Sequence, residues 1–206
     1  MVLGHSWGCL VALALAHKYP GLVRGLVLAS GYYYPTARAD VVAMSPPTVP
    51  VIGDLVRYSI SPILSRLAWT LLMRKLFGPQ AVPPKFAGFP KAMAVRPSHI
   101  RAVAAESALM IPGALAAQGT YADLKMPVAI ITGSEDRLVD IKAQSARLHG
   151  DIPQSSFQSV PGAGHMIHQT ATGSVMSAID EVSASIAAIG STEDARSSKA
   201  PALAAA

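Results

Sequence analysis

The sequence predicts an α/β fold: a mostly parallel sheet with flanking helices and a helical insertion. Three features carry that reading. A Gly4-His5-Ser6-Trp7-Gly8 pentad joins a short apolar strand to a helix. Apolar strand-length runs alternate with helix-spaced segments in the β-α-β-α order of a parallel sheet. From residue 32 to 125 the strand signal disappears, and prolines cut the chain into short helical pieces.

Each element follows in order. Met1-Val2-Leu3 reads as the end of a strand. Cys9 to Tyr19 reads as a helix stopped by Pro20-Gly21. Leu22 to Ala29 is the next strand, so the first three elements form a strand–helix–strand crossover. Gly53 to Phe77, bent at Pro62, and Pro97 to Met110 are the helices of the insertion. A segment this long without strands is a lid or cap rather than a bare loop. Pro127 to Thr132, ending at Gly133, is a buried parallel strand, and Ile141 to His149 is a helix. Ser155 to Val160 is a weaker strand, ending at Pro161-Gly162. Ile167 to Ala188 has helical spacing at Val175, Ile179, Val182 and Ile186. The sheet core is thus 1–31 plus 126–189, the cap 32–125, and 190–206 a Ser/Ala-rich tail expected to be disordered.

Composition narrows the function. Of 206 residues, 51% are hydrophobic and 14% charged, the profile of a globular chain with much to bury. The net charge is +5, but the 17 basic residues are scattered. Arg66, Arg74 and Lys75 lie closest together and suit a solvated helix face, so nucleic-acid binding is not expected. Cys9 alone cannot form an internal disulfide; it suits a reducing, cytoplasmic compartment and a role as small apolar filler. No apolar run reaches 18 residues, so no membrane span is expected. The six histidines lack metal-ligand spacing, and there is neither a phosphate loop nor a dinucleotide fingerprint, so neither metal nor cofactor is expected.

What remains is nucleophilic chemistry. A G-x-S-x-G pentad arises by chance in about one chain in fifteen of this length, so its flanks decide. Between a strand and a helix, the serine sits on a sharp turn with its Oγ clear of the sheet, and Gly4 and Gly8 let the backbone turn tightly. A serine nucleophile needs a base, and the base needs a partner to fix its tautomer. Gly133-Ser134-Glu135-Asp136-Arg137-Leu138-Val139 follows one strand and Gly162-Ala163-Gly164-His165 another. Functional groups gather at the carboxyl ends of strands in open parallel sheets. Glu135 and Asp140 are the rival acids. Glu135 should point away from its neighbour, and Asp140 should cap the following helix. His168 rivals His165 but falls inside the next helix. His5 should point opposite to Ser6 and take a packed or hydrogen-bonded structural role. Trp7 and Tyr32-Tyr33-Tyr34 either line a lipophilic cleft or fill the core.

GHSWG, GSEDRLV and GAGH together resemble the α/β-hydrolase-fold superfamily, in its capped, esterase- or haloperoxidase-like branch, over residues 1 to about 189. The resemblance implies Ser6 as nucleophile, Asp136 as acid, His165 as base and the Trp7 N–H as one oxyanion donor. It implies hydrolysis of an ester or related acyl bond in a small, lipophilic substrate. A serine at the elbow argues against the dehalogenase and epoxide hydrolase branches, which need a carboxylate nucleophile. In this family about four strands and a second oxyanion donor precede the elbow, which here begins at residue 4. The expectation is therefore an incomplete chain, and the alternative reading is a non-catalytic fragment or binding protein. A homodimer is one way to cover the open sheet edge.

Overall fold

A computed structural model of the chain describes residues 1–36 and 51–199. Strands β1 (Val2–His5), β2 (Leu26–Ala29), β3 (Val128–Gly133) and β4 (Ser155–Val160) form one parallel sheet in the order β1-β2-β3-β4. His5 lies opposite Ala29, Ala29 opposite Ile131, and Ile131 opposite Gln158. The carboxyl ends of all four strands therefore reach one edge of the molecule.

The two central strands are buried throughout, with β2 apolar at every position and β3 apolar from Val128 to Ile131, because both faces are covered. In β2, Leu26 and Leu28 face helix α1 (Gly8–Lys18) and pack with Cys9, Ala12, Leu13 and Ala16. Val27 and Ala29 face the other way, against Val175, Ala178 and Val182 of helix α8 (Thr172–Lys199). β3 divides the same way, Val128 and Ile130 on one side and Ala129 and Ile131 on the other. Among the described residues β1 lies at one end of the sheet, and Leu3, Val11 and Leu15 are exposed beside it.

The insertion enters between β2 and β3, which are neighbours in the sheet. It contains α2 (Ile52–Tyr58), α3 (Ile60–Phe77), α4 (Lys91–Ala94) and α5 (Pro97–Ala117). Its two ends belong to the core packing: Tyr33, Tyr34, Tyr121 and Leu124 join the cluster under α1. The expected breaks at Pro46, Pro47 and Pro50 lie outside the described residues.

Several boundaries differ from the sequence reading, each for a physical reason. Strand β2 starts at Leu26 rather than Leu22, where its neighbours first supply partners, and Leu22 is exposed. The helix expected to bend at Pro62 instead breaks at Ser59. A proline ring clashes with the carbonyl four residues earlier, here Tyr58, the last residue of α2. By contrast α5 runs through Pro112, held by buried Ala104, Ser107 and Ala114. Pro97–Asp123 is long and apolar enough to cross a membrane by length and composition, a test that core helices of soluble proteins also pass. The segment after β3 forms a π-helical turn (Lys142–Ala146) followed by α6 (Arg147–Asp151). The expected helix from Ile167 is split at Ala171, whose ψ of 47° is not helical, into α7 (Ile167–Thr170) and α8. α8 then continues through Gly190 to Lys199, so a helix stands where the tail was expected to begin.

Candidate active site

The pentad folds as the strand–turn–helix unit that its context predicts. Ser6 has φ of 54°, a left-handed conformation that costs a non-glycine residue energy. It sits between the end of β1 and the first turn of α1, with its backbone N–H bonded to the Ala29 carbonyl at 3.0 Å. The two flanking glycines are not equivalent. A Cβ on Gly4 would lie 2.7 Å from the Gly8 carbonyl oxygen and 2.8 Å from the Cys9 Cα. A Cβ on Gly8 would meet nothing within 4 Å. The tight approach therefore requires the first glycine and not the second, which corrects the expectation that both are needed.

The three residues singled out as nucleophile, acid and base come together. His165 Nε2 is 3.0 Å from Ser6 Oγ, and His165 Nδ1 is 2.8 Å from Asp136 Oδ2. Both side chains of the His165–Asp136 pair are buried. A carboxylate only accepts, so Nδ1 carries the proton and Nε2 is left free to receive one from the serine hydroxyl. Asp136 Oδ1 accepts the N–H groups of Leu138 at 2.8 Å and Val139 at 3.0 Å, which fixes the carboxylate plane.

The rivals have other tasks. Glu135 is exposed, and Asp140 Oδ1 caps the next turn through the Ala143 N–H at 2.7 Å. His168 lies in α7, its ring 4.2 Å from that of His5. Trp7 packs with Leu10, Tyr32, Met110 and Ala114, so its ring meets the inner face of α5. Its backbone N–H opens α1 and has no acceptor within the helix. Tyr32, Tyr33 and Tyr34 are buried, which resolves the alternatives in favour of packing. Burial raises the Cys9 thiol to about 12, in keeping with its place as core filler. Among the described residues no group of three His, Cys, Asp or Glu is placed to hold a metal ion.

His165 is carried by a loop that must cross from β4, at one edge of the sheet, to β1 at the other. Several hydrogen bonds hold it there, among them Gly162 N–H donating to Ser134 Oγ at 2.9 Å. Glu135 N–H donates to the Ala163 carbonyl at 2.9 Å, and Met166 N–H to the Leu76 carbonyl near the end of α3 at 3.3 Å. A further one is His5 Nε2 against the His165 carbonyl oxygen at 3.0 Å. Sequence reasoning gave His5 a packed or hydrogen-bonded structural role but not its partner, because nothing local in the chain signals a bond between residues 5 and 165. Burial, then the neighbouring His165, pushes the His5 imidazole down to about 4. Burial also lowers His168, with His165 and Lys85 adding to the effect.

The alpha/beta hydrolase fold family matches residues 1–172. Solved structures with this architecture include an alpha/beta hydrolase fold protein from Burkholderia ambifaria, 20% identical with a TM-score of 0.69 over 86% of this chain and 64% of that one. A thermophilic esterase from Thermogutta terrifontis is 21% identical, with a TM-score of 0.58 over 89% of this chain and 64% of that one. A haloalkane dehalogenase from Agrobacterium tumefaciens is 14% identical, with a TM-score of 0.62 over 87% and 64%. The chain thus spans about 64% of the length of these structures. No curated protein matches it. At such identities the likeness establishes the fold alone, and the neighbours carry different chemistries on it. The chain belongs to the alpha/beta hydrolase fold family.

Proposed function

We propose that this family member is a serine hydrolase that cleaves an ester or related acyl bond through an acyl-enzyme. The observation that carries the reading is the unbroken hydrogen-bond path from Ser6 Oγ through His165 to Asp136. The residue type at the elbow decides among the chemistries the fold hosts. A serine hydroxyl gives an acyl-enzyme that water can open, whereas an alkyl halide calls for a carboxylate nucleophile.

The steps follow from the atoms. His165 Nε2 takes the Ser6 proton as Oγ bonds to the acyl carbon. The carbonyl oxygen becomes an oxyanion, and the Trp7 N–H at the start of α1 is its donor in this scheme. The Nδ1–H bond to Asp136 stabilises the imidazolium. The carbon–oxygen bond to the leaving group then breaks, and Nε2 returns the proton to the departing alcohol. Water repeats the sequence, with His165 as base, and frees the carboxylic acid. Apolar residues on the cap favour a lipophilic acyl or alcohol group as the substrate class.

Hydrolysis of p-nitrophenyl esters of increasing acyl length tests this. The expected result is saturable turnover that Ser6→Ala and His165→Ala each lower by several powers of ten. Turnover unchanged in Ser6→Ala overturns the reading.

A further inference from the structure

We infer that His5 is a positioning residue for the base: it holds His165 by its backbone while Ser6, the next residue in the chain, engages the same histidine by its ring. The inference rests on the proposed Ser6–His165 chemistry and adds to it a reason why the two meet.

Three observations carry it. The first is the contact itself. A carbonyl oxygen can only accept, so His5 Nε2 must bear the proton and donate to the His165 carbonyl at 3.0 Å. The second is topology. Ser6 follows β1 and His165 follows β4, the two outer strands of the sheet. The other backbone anchors of the loop tie it to the segment after β3 and to the end of α3. Among the described residues, His5 supplies the anchor to the strand that bears the nucleophile. The result is a closed ring: Ser6 Oγ to His165 Nε2, His165 carbonyl to His5 Nε2, and the peptide bond from His5 back to Ser6. Fixing one contact then fixes the other, and misplacement of a reacting group by about 1 Å can cost about 100-fold in rate.

The third is charge. The His5 ring centroid lies 5.0 Å from that of His165 and 4.2 Å from that of His168. During acylation His165 becomes an imidazolium. A second cation at either neighbour would oppose that charge, whereas Asp136, bonded to His165 Nδ1, favours it. Burial holds both neighbours below the ordinary imidazole value, so they stay neutral at pH 7. His5 is therefore a donor that carries no charge of its own.

Replacements of different reach separate this role from packing. The amide nitrogen of His5→Gln can occupy the Nε2 position, whereas that of His5→Asn stops a bond short; both are polar and neutral. The full chain with each change is assayed with a p-nitrophenyl ester and with a fluorophosphonate probe, beside thermal melts and a pH profile of kcat/KM. The expected result is that His5→Asn slows acylation by about 10- to 100-fold with KM changed less than about threefold. His5→Gln is expected to recover most of that loss at a similar melting temperature. Equal rates for the Gln and Asn variants overturn the inference while leaving the nucleophile assignment intact. Labelling that persists in Ser6→Ala, or a wild type that neither labels nor turns over, overturns the proposed chemistry on which it rests.

Discussion

The carboxyl end of the sheet and the outer face of the helical insertion are built on opposite terms. At the sheet end, loops from β1, β3 and β4 converge on buried groups that are hydrogen-bonded to side chains and backbone alike. On α2 and α3, large apolar side chains stand in solvent: Leu55, Tyr58, Ile63, Leu67 and Leu71 are all more than half exposed. One region holds the positions of a few atoms to within a hydrogen bond, and the other presents area without fixing it. The proposed function would assign chemistry to the first region and substrate choice to the second. The two regions meet where α3 ends. A Cβ on Gly164, next to His165, would collide with the Gly78 carbonyl, and Met166 N–H bonds to the Leu76 carbonyl.

That contrast can be broken from the sheet end first. Asp136→Asn keeps the shape and removes the charge that sets the histidine tautomer. Turnover is expected to fall about 10⁴-fold with little change in the far-UV spectrum or the thermal melt. If Asp136→Asn stays active while Asp140→Asn is dead, the acid has been misassigned.

Acid should act on the same region. An ordinary imidazole takes its proton near pH 6.5, whereas His5 in the folded chain does so near 4. Between these values the unfolded state holds more protons. The His5 contribution is therefore fully present above about pH 6.5 and is lost as the pH falls toward 4, on the order of 3 kcal/mol at most. Urea unfolding from pH 7 to 4 measures it. The acid loss should be smaller in His5→Gln than in wild type, and equal losses would exclude His5 as their source.

Gly164→Ala probes the junction. The added methyl has backbone on its far side, so it must push the His165 loop and the end of α3 apart, at a cost of about 1–3 kcal/mol. Activity should fall along with the melting temperature. Gly8→Ala, at the open glycine of the pentad, should leave the fold nearly undisturbed by comparison.

The smallest effect belongs to the cap. Leu67 is 75% exposed, and Leu67→Ser should shift stability by less than about 0.5 kcal/mol. If chain-length preference among ester substrates shifts while the p-nitrophenyl acetate rate holds, the division between the two regions is sharpened. A large loss of stability would mean that this face is packed against something.

The two regions were also unequally legible in the sequence. β3 could be read almost to the residue, because a parallel strand covered on both faces reads as a near-continuous apolar run bounded by turn residues, whereas β4 gave a weaker signal ended by Pro161-Gly162. Ser6, Asp136 and His165 were singled out because each lies just past a predicted strand. The cap was harder. Pro62 announces a break but not its place, and Pro112 lies inside a helix that packing against the core sustains. The π-helical turn has no local signature either. It is tied to Gln144, which is buried and whose Oε1 accepts the N–H groups of Tyr33 and Tyr34 at 2.6 and 2.8 Å. His5 illustrates the same limit inside the site: its residue type was visible, its partner 160 residues away was not.

The account stands most directly on the reactivity of one hydroxyl. Incubation with a fluorophosphonate, followed by intact mass and peptide mapping, reads it without any knowledge of the natural substrate. The account predicts a single adduct on Ser6, absent in Ser6→Ala and formed far more slowly in His165→Ala. An adduct on another residue, or one that survives Ser6→Ala, would contradict it.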